Sequence, residues 1–92
     1  EQDAKAAWPA AYVAQGRALA LSGDFDRAEK SYRAALDRDP GNYEAHYRLA
    51  ELHSRRGALG NALREAQKAL KINRTSEAQK LIEQIRARTR DN

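Results

Sequence analysis

Cysteine and methionine are both absent from this chain of 92 residues, and proline occurs only twice. Without cysteine there is no disulfide, no thiolate metal ligand and no cysteine nucleophile. The absence does not indicate the cellular compartment in which the protein works. No apolar run approaches the roughly 18 residues that cross a bilayer, and no signal-peptide pattern is recognised. We therefore expect a water-soluble domain without membrane insertion. Since not even residue 1 is methionine, we also expect the sequence to be part of a longer chain.

A strong charge of one sign is missing too. The formal net charge is only +4, from 17 Lys and Arg against 13 Asp and Glu. The two signs are interspersed, which is typical of solvated helix faces, whereas a nucleic-acid site is normally a clustered basic patch or stripe. We therefore do not expect nucleic-acid binding. The cations considered for it are Arg27, Lys30, Arg33, Arg64, Lys68 and Lys71.

The residues that are present favour helix. Alanine is abundant, β-branched residues are scarce, and Gly and Pro stand at segment ends, so we expect helices throughout and no strands. No paired carboxylates, Ser/His/Asp set or glycine-rich phosphate loop stands in a recognisable context, so we expect neither enzymatic activity nor a cofactor. His46 and His53 are seven residues apart, too far to share one metal ion directly, and we interpret both as packing residues.

An internal repeat organises the chain. The segment from Gly23 to Pro40 returns as a diverged copy from Gly57 to Arg74, and four identical residues recur at a separation of 34 positions. The matching pairs are Gly23 and Gly57, Ala28 and Ala62, Ala35 and Ala69, and Leu36 and Leu70. A period of 34 with glycine, small residues, an aromatic and proline predicts a repeated helix-turn-helix unit.

Over roughly residues 9 to 88, the chain resembles the tetratricopeptide repeat family. The resemblance implies an all-α, right-handed α-solenoid with five helices. Its expected parts are a lead-in segment at 1–8, a first repeat at 9–42, a second at 43–74 and a capping helix at 75–90. It also implies a non-enzymatic interaction module whose concave groove binds an extended or helical peptide segment.

Helix boundaries follow from local signals. Pro9 suits a first helical turn, so we expect helix one to start there, with Trp8 outside it. Gly23 ends that helix, Asp24 caps helix two, and Asn42 caps helix three. Helix four has no corresponding cap and should have the weakest start. Small residues at the crossing of helices one and two are Gly16 and Ala18.

Apolar periodicity predicts the buried faces. Helix two buries Phe25, Ala28, Tyr32, Ala35 and Leu36. Helix three buries Ala45, His46, Leu49, Ala50, Leu52 and His53. Helix four buries Ala62, Leu63, Ala66, Ala69, Leu70 and Ile72. The register then breaks. A linker shortened by two residues lets the capping helix start at a Ser76/Gln79 capping box and bury Ala78, Leu81, Ile82 and Ile85.

The resemblance places the groove on the first helix of each repeat and on the capping helix. Its implied lining is Val13, Ala14, Arg17, Ala20, Leu21, Glu44, Tyr47, Arg48, Glu51, Ser54, Arg55, Gln79, Lys80, Glu83 and Arg86. Arg and Tyr commonly anchor interfaces, and the lining leans basic, which favours a segment with carboxylates. The partner-binding candidates are Arg17, Tyr47, Arg48, Glu51, Arg55 and Lys80.

Two alternatives stay open. Glu44 with Arg48, and Glu51 with Arg55, are i,i+4 pairs that would stabilise an exposed helix without binding anything. In addition, two repeats are fewer than the usual three. The N-terminal helical face would then serve as an assembly or homodimerisation surface, with Trp8, Ala11 and Tyr12 as the self-association candidates.

Overall fold

A computed structural model describes residues 2–91, with side chains from residue 8 onward. Five helices occupy almost all of this range: α1 (Gln2–Leu21), α2 (Phe25–Arg38), α3 (Tyr43–Arg55), α4 (Leu59–Ile72) and α5 (Ser76–Asp91). There is no strand between residues 2 and 91. The predicted all-α repeat fold is therefore confirmed.

The turns within the two hairpins follow the predicted glycine chemistry. Gly23 and Gly57 have φ angles of 89° and 82°, in the left-handed region that favours glycine. The Asp24 carboxylate accepts a hydrogen bond from the Arg27 backbone N–H at 3.3 Å and so caps α2. At the equivalent position before α4 stands Ala58, which offers no side-chain cap. The second hairpin therefore lacks a stabilising contact that the first has.

Packing makes α3 the central element. Helix α1 packs on α2, α3 packs on α4, and α5 packs chiefly on α4. The first core cluster contains Val13, Ala28, Tyr32, Ala35, Ala45, Leu49 and Leu52. The second contains Ala50, Ala62, Ala66, Leu81, Ile82 and Ile85. Because α3 supplies residues to both clusters, it joins the first repeat to the second.

Gly16 lies where α1 crosses α2. A Cβ atom at this position would lie 2.5 Å from Cε1 and 2.7 Å from Cδ1 of Tyr32, whose side chain is fully buried. The predicted close approach is confirmed for Gly16. It is wrong for Ala18, which is exposed on the opposite side of α1.

Helix α1 begins earlier than the sequence predicts. The helix includes Trp8 and continues through Pro9, so the predicted start at Pro9 is wrong. Proline removes one intrahelical hydrogen bond but its fixed φ is compatible with helix, and the flanking residues favour helix. The Arg38 guanidinium of α2 also lies over the Trp8 and Tyr12 rings, 4.8 and 4.9 Å from their centroids. These contacts fix the tryptophan as part of α1.

The link into α5 differs from the prediction in two details. Ile72 was expected in the core, but it ends α4 and is 44% exposed. The cap of α5 is Thr75, whose Oγ1 accepts a hydrogen bond from the Ala78 backbone N–H at 3.0 Å, and not Ser76. The same Oγ1 lies 2.6 Å from the Tyr43 hydroxyl, which ties the link to α3. The predicted buried face of α5 is confirmed.

Both histidines of α3 are buried, as predicted. His46 Nδ1 lies 2.7 Å from Oε1 of Glu65 on α4, and Nε2 lies 2.9 Å from the Pro40 carbonyl oxygen. The burial of Glu65 was not predicted. Its burial follows from the pattern of α4, since it lies three residues after Ala62 and four before Ala69, both fully buried.

Candidate functional site

A concave hollow of about 410 Å³ lies where α1, α3 and α5 converge, with Tyr32 of α2 at its base. Its charged lining residues are Arg17, Arg48, Glu51 and Arg55. Its other lining residues are Ala20, Leu21, Tyr32, Ser54, Leu81 and Gln84. The hollow therefore brings four of the six predicted partner-binding residues together.

Arg48 is held by two carboxylates. Its Nε donates to Glu44 at 2.7 Å, and a terminal nitrogen donates to Glu51 at 2.9 Å. Its guanidinium also lies 5.3 Å from the centroid of the Tyr47 ring. Burial by itself lowers the pKa of Arg48, but the hydrogen bonds with Glu51 and Glu44 outweigh it, so the pKa is raised. The positive charge of Arg48 is thus fixed in place and compensated.

Arg17 and Arg55 have no such partners. Within the part of the chain whose side chains are described, no carboxylate lies within 4.0 Å of either guanidinium. The predicted pair between Glu51 and Arg55 is wrong, because Glu51 pairs with Arg48 instead. Arg55 lies over the Phe25 ring at 5.9 Å. Two cations with free hydrogen-bond donors therefore border the hollow.

Apolar surface accompanies these cations. Leu21, at the end of α1, is 79% exposed, and Ala20 and Leu81 add further apolar lining. Tyr32 is almost fully buried, and burial raises its pKa, so its hydroxyl is protonated at neutral pH. The hollow thus combines free guanidinium groups, a hydroxyl and an exposed aliphatic side chain.

The remaining predicted groove residues are placed elsewhere. Tyr47 stacks on Tyr43 with ring centroids 5.9 Å apart and packs against the second core cluster, and Lys80 is exposed on α5 outside the hollow. Val13 is buried in the first core cluster. Ala14 and Glu44 border a smaller neighbouring hollow of about 260 Å³, which Arg17 shares.

The face of α5 toward the hollow was predicted incorrectly. Gln79, Glu83 and Arg86 lie on the side facing α4, and α5 contributes Leu81 and Gln84 to the hollow instead. On the same side of α5, the Arg88 guanidinium donates to the Ser54 carbonyl oxygen at 2.7 Å and to Ser54 Oγ at 2.8 Å. Leu81, Gln84 and Arg88 therefore lie on the side of α5 that is next to α3.

The three self-association candidates differ in exposure. Trp8 and Tyr12 are partly buried under the Arg38 guanidinium, and Tyr12 also packs against the first core cluster. Ala11 is exposed. Trp8 and Tyr12 therefore make most of their contacts within the chain, which leaves little of either ring for a partner.

Two further features of the described residues bear on function. No helix is long and apolar enough to span a bilayer. No group of three or more His, Asp or Glu side chains is arranged to hold a metal ion within that same range.

Comparison with known proteins agrees with the fold and the repeat period. A family model described as tetratricopeptide repeat matches residues 19–85. The chain is also 37% identical over 68 residues to the Cell division cycle protein 27 homolog of Caenorhabditis elegans. That alignment covers 74% of this chain but only 9% of the relative, so the chain spans a small part of that protein's length. The family indicates a protein–protein interaction module. On the match to residues 19–85, this chain belongs to the tetratricopeptide repeat family.

Proposed function

We propose that the chain is a non-enzymatic interaction module whose concave hollow binds a peptide segment of a partner protein. The observation that carries this is the contrast among its three arginines. Arg48 is compensated by Glu44 and Glu51, whereas Arg17 and Arg55 have no carboxylate within 4.0 Å among the described side chains. Guanidinium groups with free donors bind carboxylates in a bidentate manner.

The segment that best fits this lining carries both carboxylates and an apolar side chain. Arg17 and Arg55 would contact the carboxylates, and the exposed Leu21 would contact the apolar group. Arg48 and Glu51 hold each other and shape the wall between the two free cations. Tyr47 and Lys80 lie outside the hollow, so we leave them out of this binding scheme.

Charge reversal at the free cations tests the proposal. An array of synthetic acidic and apolar peptides supplies binding sequences, and the affinity of the best one is then measured for Arg17→Glu and Arg55→Glu. Each change replaces an attraction by a repulsion, so we expect affinity to fall by more than about tenfold. Lys30→Glu, on the outer face of α2, is the matched control and should leave affinity unchanged. Equal loss in the control, or no loss at either arginine, would contradict the proposal.

A second candidate function is self-association through the N-terminal helical face. Ala11 and Ala18 of α1 are exposed, although their equivalents 34 positions later, Ala45 and Leu52, are 0% and 1% exposed. The same surface of a first helix is thus covered in the second repeat and uncovered in the first. A second copy of the chain that packed there would bury it.

Sedimentation equilibrium over a wide concentration range separates the two functions. Self-association predicts a mass that rises with concentration, and predicts that Ala11→Glu returns the chain to a monomer because a carboxylate would be buried at the contact. A mass equal to the monomer at all concentrations would exclude this candidate and leave the concave hollow free to bind a peptide.

A further inference from the structure

The outer side of α4 and α5 carries a concentrated positive charge. Two adjoining hollows there share Gln67 and Leu70 in their lining. Their charged lining residues are Arg64, Lys68, Lys71, Arg74, Arg86 and Glu83. We call this surface the α4–α5 basic face. Five cations and one carboxylate give it a net charge of +4, the same as that of the whole chain.

Elsewhere some cations are paired with carboxylates, although Arg17 and Arg55 are not. Arg27 is bonded to Asp24 at 3.3 Å, and Arg33 to Glu29 at 2.9 Å. On the basic face, Lys68 alone approaches a carboxylate, that of Glu65 at 3.8 Å. The other four cations have no carboxylate within 4.0 Å among the described side chains. Positive charge is therefore uncompensated on this face.

The first repeat carries less positive charge at the equivalent positions. The residues 34 positions before Lys68 and Lys71 are Ala34 and Asp37, although Arg64 has a basic equivalent in Lys30. The face also shares no lining residue with the concave hollow. A ligand bound there would consequently be separate from one bound in the hollow.

We propose that the α4–α5 basic face is a second binding surface and that it takes an acidic protein segment with an apolar side chain. Leu70, which is partly exposed, provides apolar contact in the middle of the face, and the amides of Gln67 and Gln79 lie next to it. The surrounding cations suit carboxylates on either side of an apolar residue. The ligand chemistry is thus mixed, acidic at its edges and apolar at its centre.

Nucleic acid fits this surface less well. Proteins that bind single strands combine cations with aromatic side chains on which bases stack, and no aromatic residue lines either hollow. An acidic segment needs no stacking surface and can place its apolar residue on Leu70.

The test uses the whole chain and three probes: a short peptide of glutamates and leucines, the same peptide with serine in place of leucine, and single-stranded poly-dT. Binding is followed by NMR through the side-chain amide signals of Gln67 and Gln79. We expect the leucine peptide to shift those signals and to bind about tenfold more weakly to Lys71→Glu, since one attraction becomes a repulsion. Lys30→Glu makes the same charge change on α2 and should bind like wild type, as should Arg17→Glu in the concave hollow.

Three outcomes would overturn the inference. Equal binding of the serine peptide would remove the apolar centre from the binding scheme. Tighter binding of poly-dT than of the leucine peptide would assign the face to nucleic acid. Equal weakening of peptide binding by Lys30→Glu and Lys71→Glu would mean that the peptide responds to the net charge of the protein and not to this face.

Discussion

His46 Nδ1 and Glu65 Oε1 lie 2.7 Å apart, and they join α3 to α4 in a site that solvent hardly reaches. The second ring nitrogen of His46 contacts the Pro40 carbonyl oxygen at 2.9 Å. Each ring nitrogen of His46 thus has a polar partner. One side chain thereby links the turn between the repeats to both helices of the second hairpin.

Removing the carboxylate should destabilise the fold. Glu65→Leu leaves His46 Nδ1 buried without a partner, and we expect a loss of about 2 kcal/mol in the free energy of unfolding, measured by urea denaturation. Glu65→Gln should cost less, because its amide can donate to Nδ1. Lys68→Met on the same helix removes only the 3.8 Å contact at the rim and should change stability by less than about 0.5 kcal/mol. If Glu65→Leu were as stable as wild type, the network would have no stabilising role.

The crossing of α1 and α2 yields a prediction that opposes helix propensity. Alanine favours helix over glycine by about 1 kcal/mol, yet Gly16→Ala would place Cβ 2.5 Å from a carbon of the buried Tyr32 ring. We expect a net loss of about 2 kcal/mol from the forced separation of the helices. Gly60→Ala in α4 is the control, because nothing lies within 4 Å of its added Cβ, and it should be neutral or slightly stabilising. A stabilised Gly16→Ala would mean that α1 can move away without loss.

Much of the fold could be predicted from the sequence, because the 34-residue period determines the positions of turns and buried residues together. The 34-residue period places both left-handed glycines, and the apolar pattern of α3 predicts its six buried residues without error. Errors occur where the repeat pattern stops. Pro9 is an ambiguous signal, since it is tolerated within a helix as well as at its start, and contacts from Arg38 across the hairpin decide the outcome.

The site was harder to predict than the fold. The first helix of each repeat was recognised as lining the concave side, and that brought Arg17, Arg48 and Arg55 to one hollow. Which of these cations is free depends on rotamers, and Arg48 pairs with Glu44 and Glu51 while Arg55 does not pair. For α5, the apolar periodicity predicted the buried residues correctly, and the error lay in which neighbouring residues border the hollow. That depends on how α5 lies against α3, where Arg88 contacts Ser54.

Stability should also depend on pH through His53. Burial lowers the pKa of this histidine below its ordinary value of 6.5, and Arg33 acts in the same direction, while Glu29 partly opposes them. The unfolded chain therefore binds the proton more readily than the folded one. The contribution of His53 to stability is complete above pH 6.5 and decreases as the pH falls through 6.5 toward the folded-state value.

His53→Gln isolates this effect, since glutamine does not titrate. Urea denaturation of both proteins at several pH values between about 5 and 8 should show a steeper loss of stability toward acid in the wild type than in the variant. Titrating groups other than residue 53 are common to both proteins, so their contributions cancel in the difference. A difference in stability that stays constant with pH would contradict the assignment.

Thr75 should determine how firmly α5 is attached. Its Oγ1 accepts from the Ala78 backbone N–H at 3.0 Å and lies 2.6 Å from the Tyr43 hydroxyl, so one atom both caps α5 and ties its start to α3. Thr75→Val keeps the shape but removes both contacts, and we expect a loss of about 1–2 kcal/mol in urea denaturation. Thr75→Ser should be close to wild type, and Tyr43→Phe should lose only the second contact.

A double variant tests whether the two side chains act through their shared contact. Adding Tyr43→Phe to Thr75→Val should lower the free energy of unfolding by less than about 0.5 kcal/mol, because the shared contact is already absent. Fully additive losses would show instead that the two side chains act independently, and the attachment of α5 would then rest on Arg88 and the apolar packing against α4.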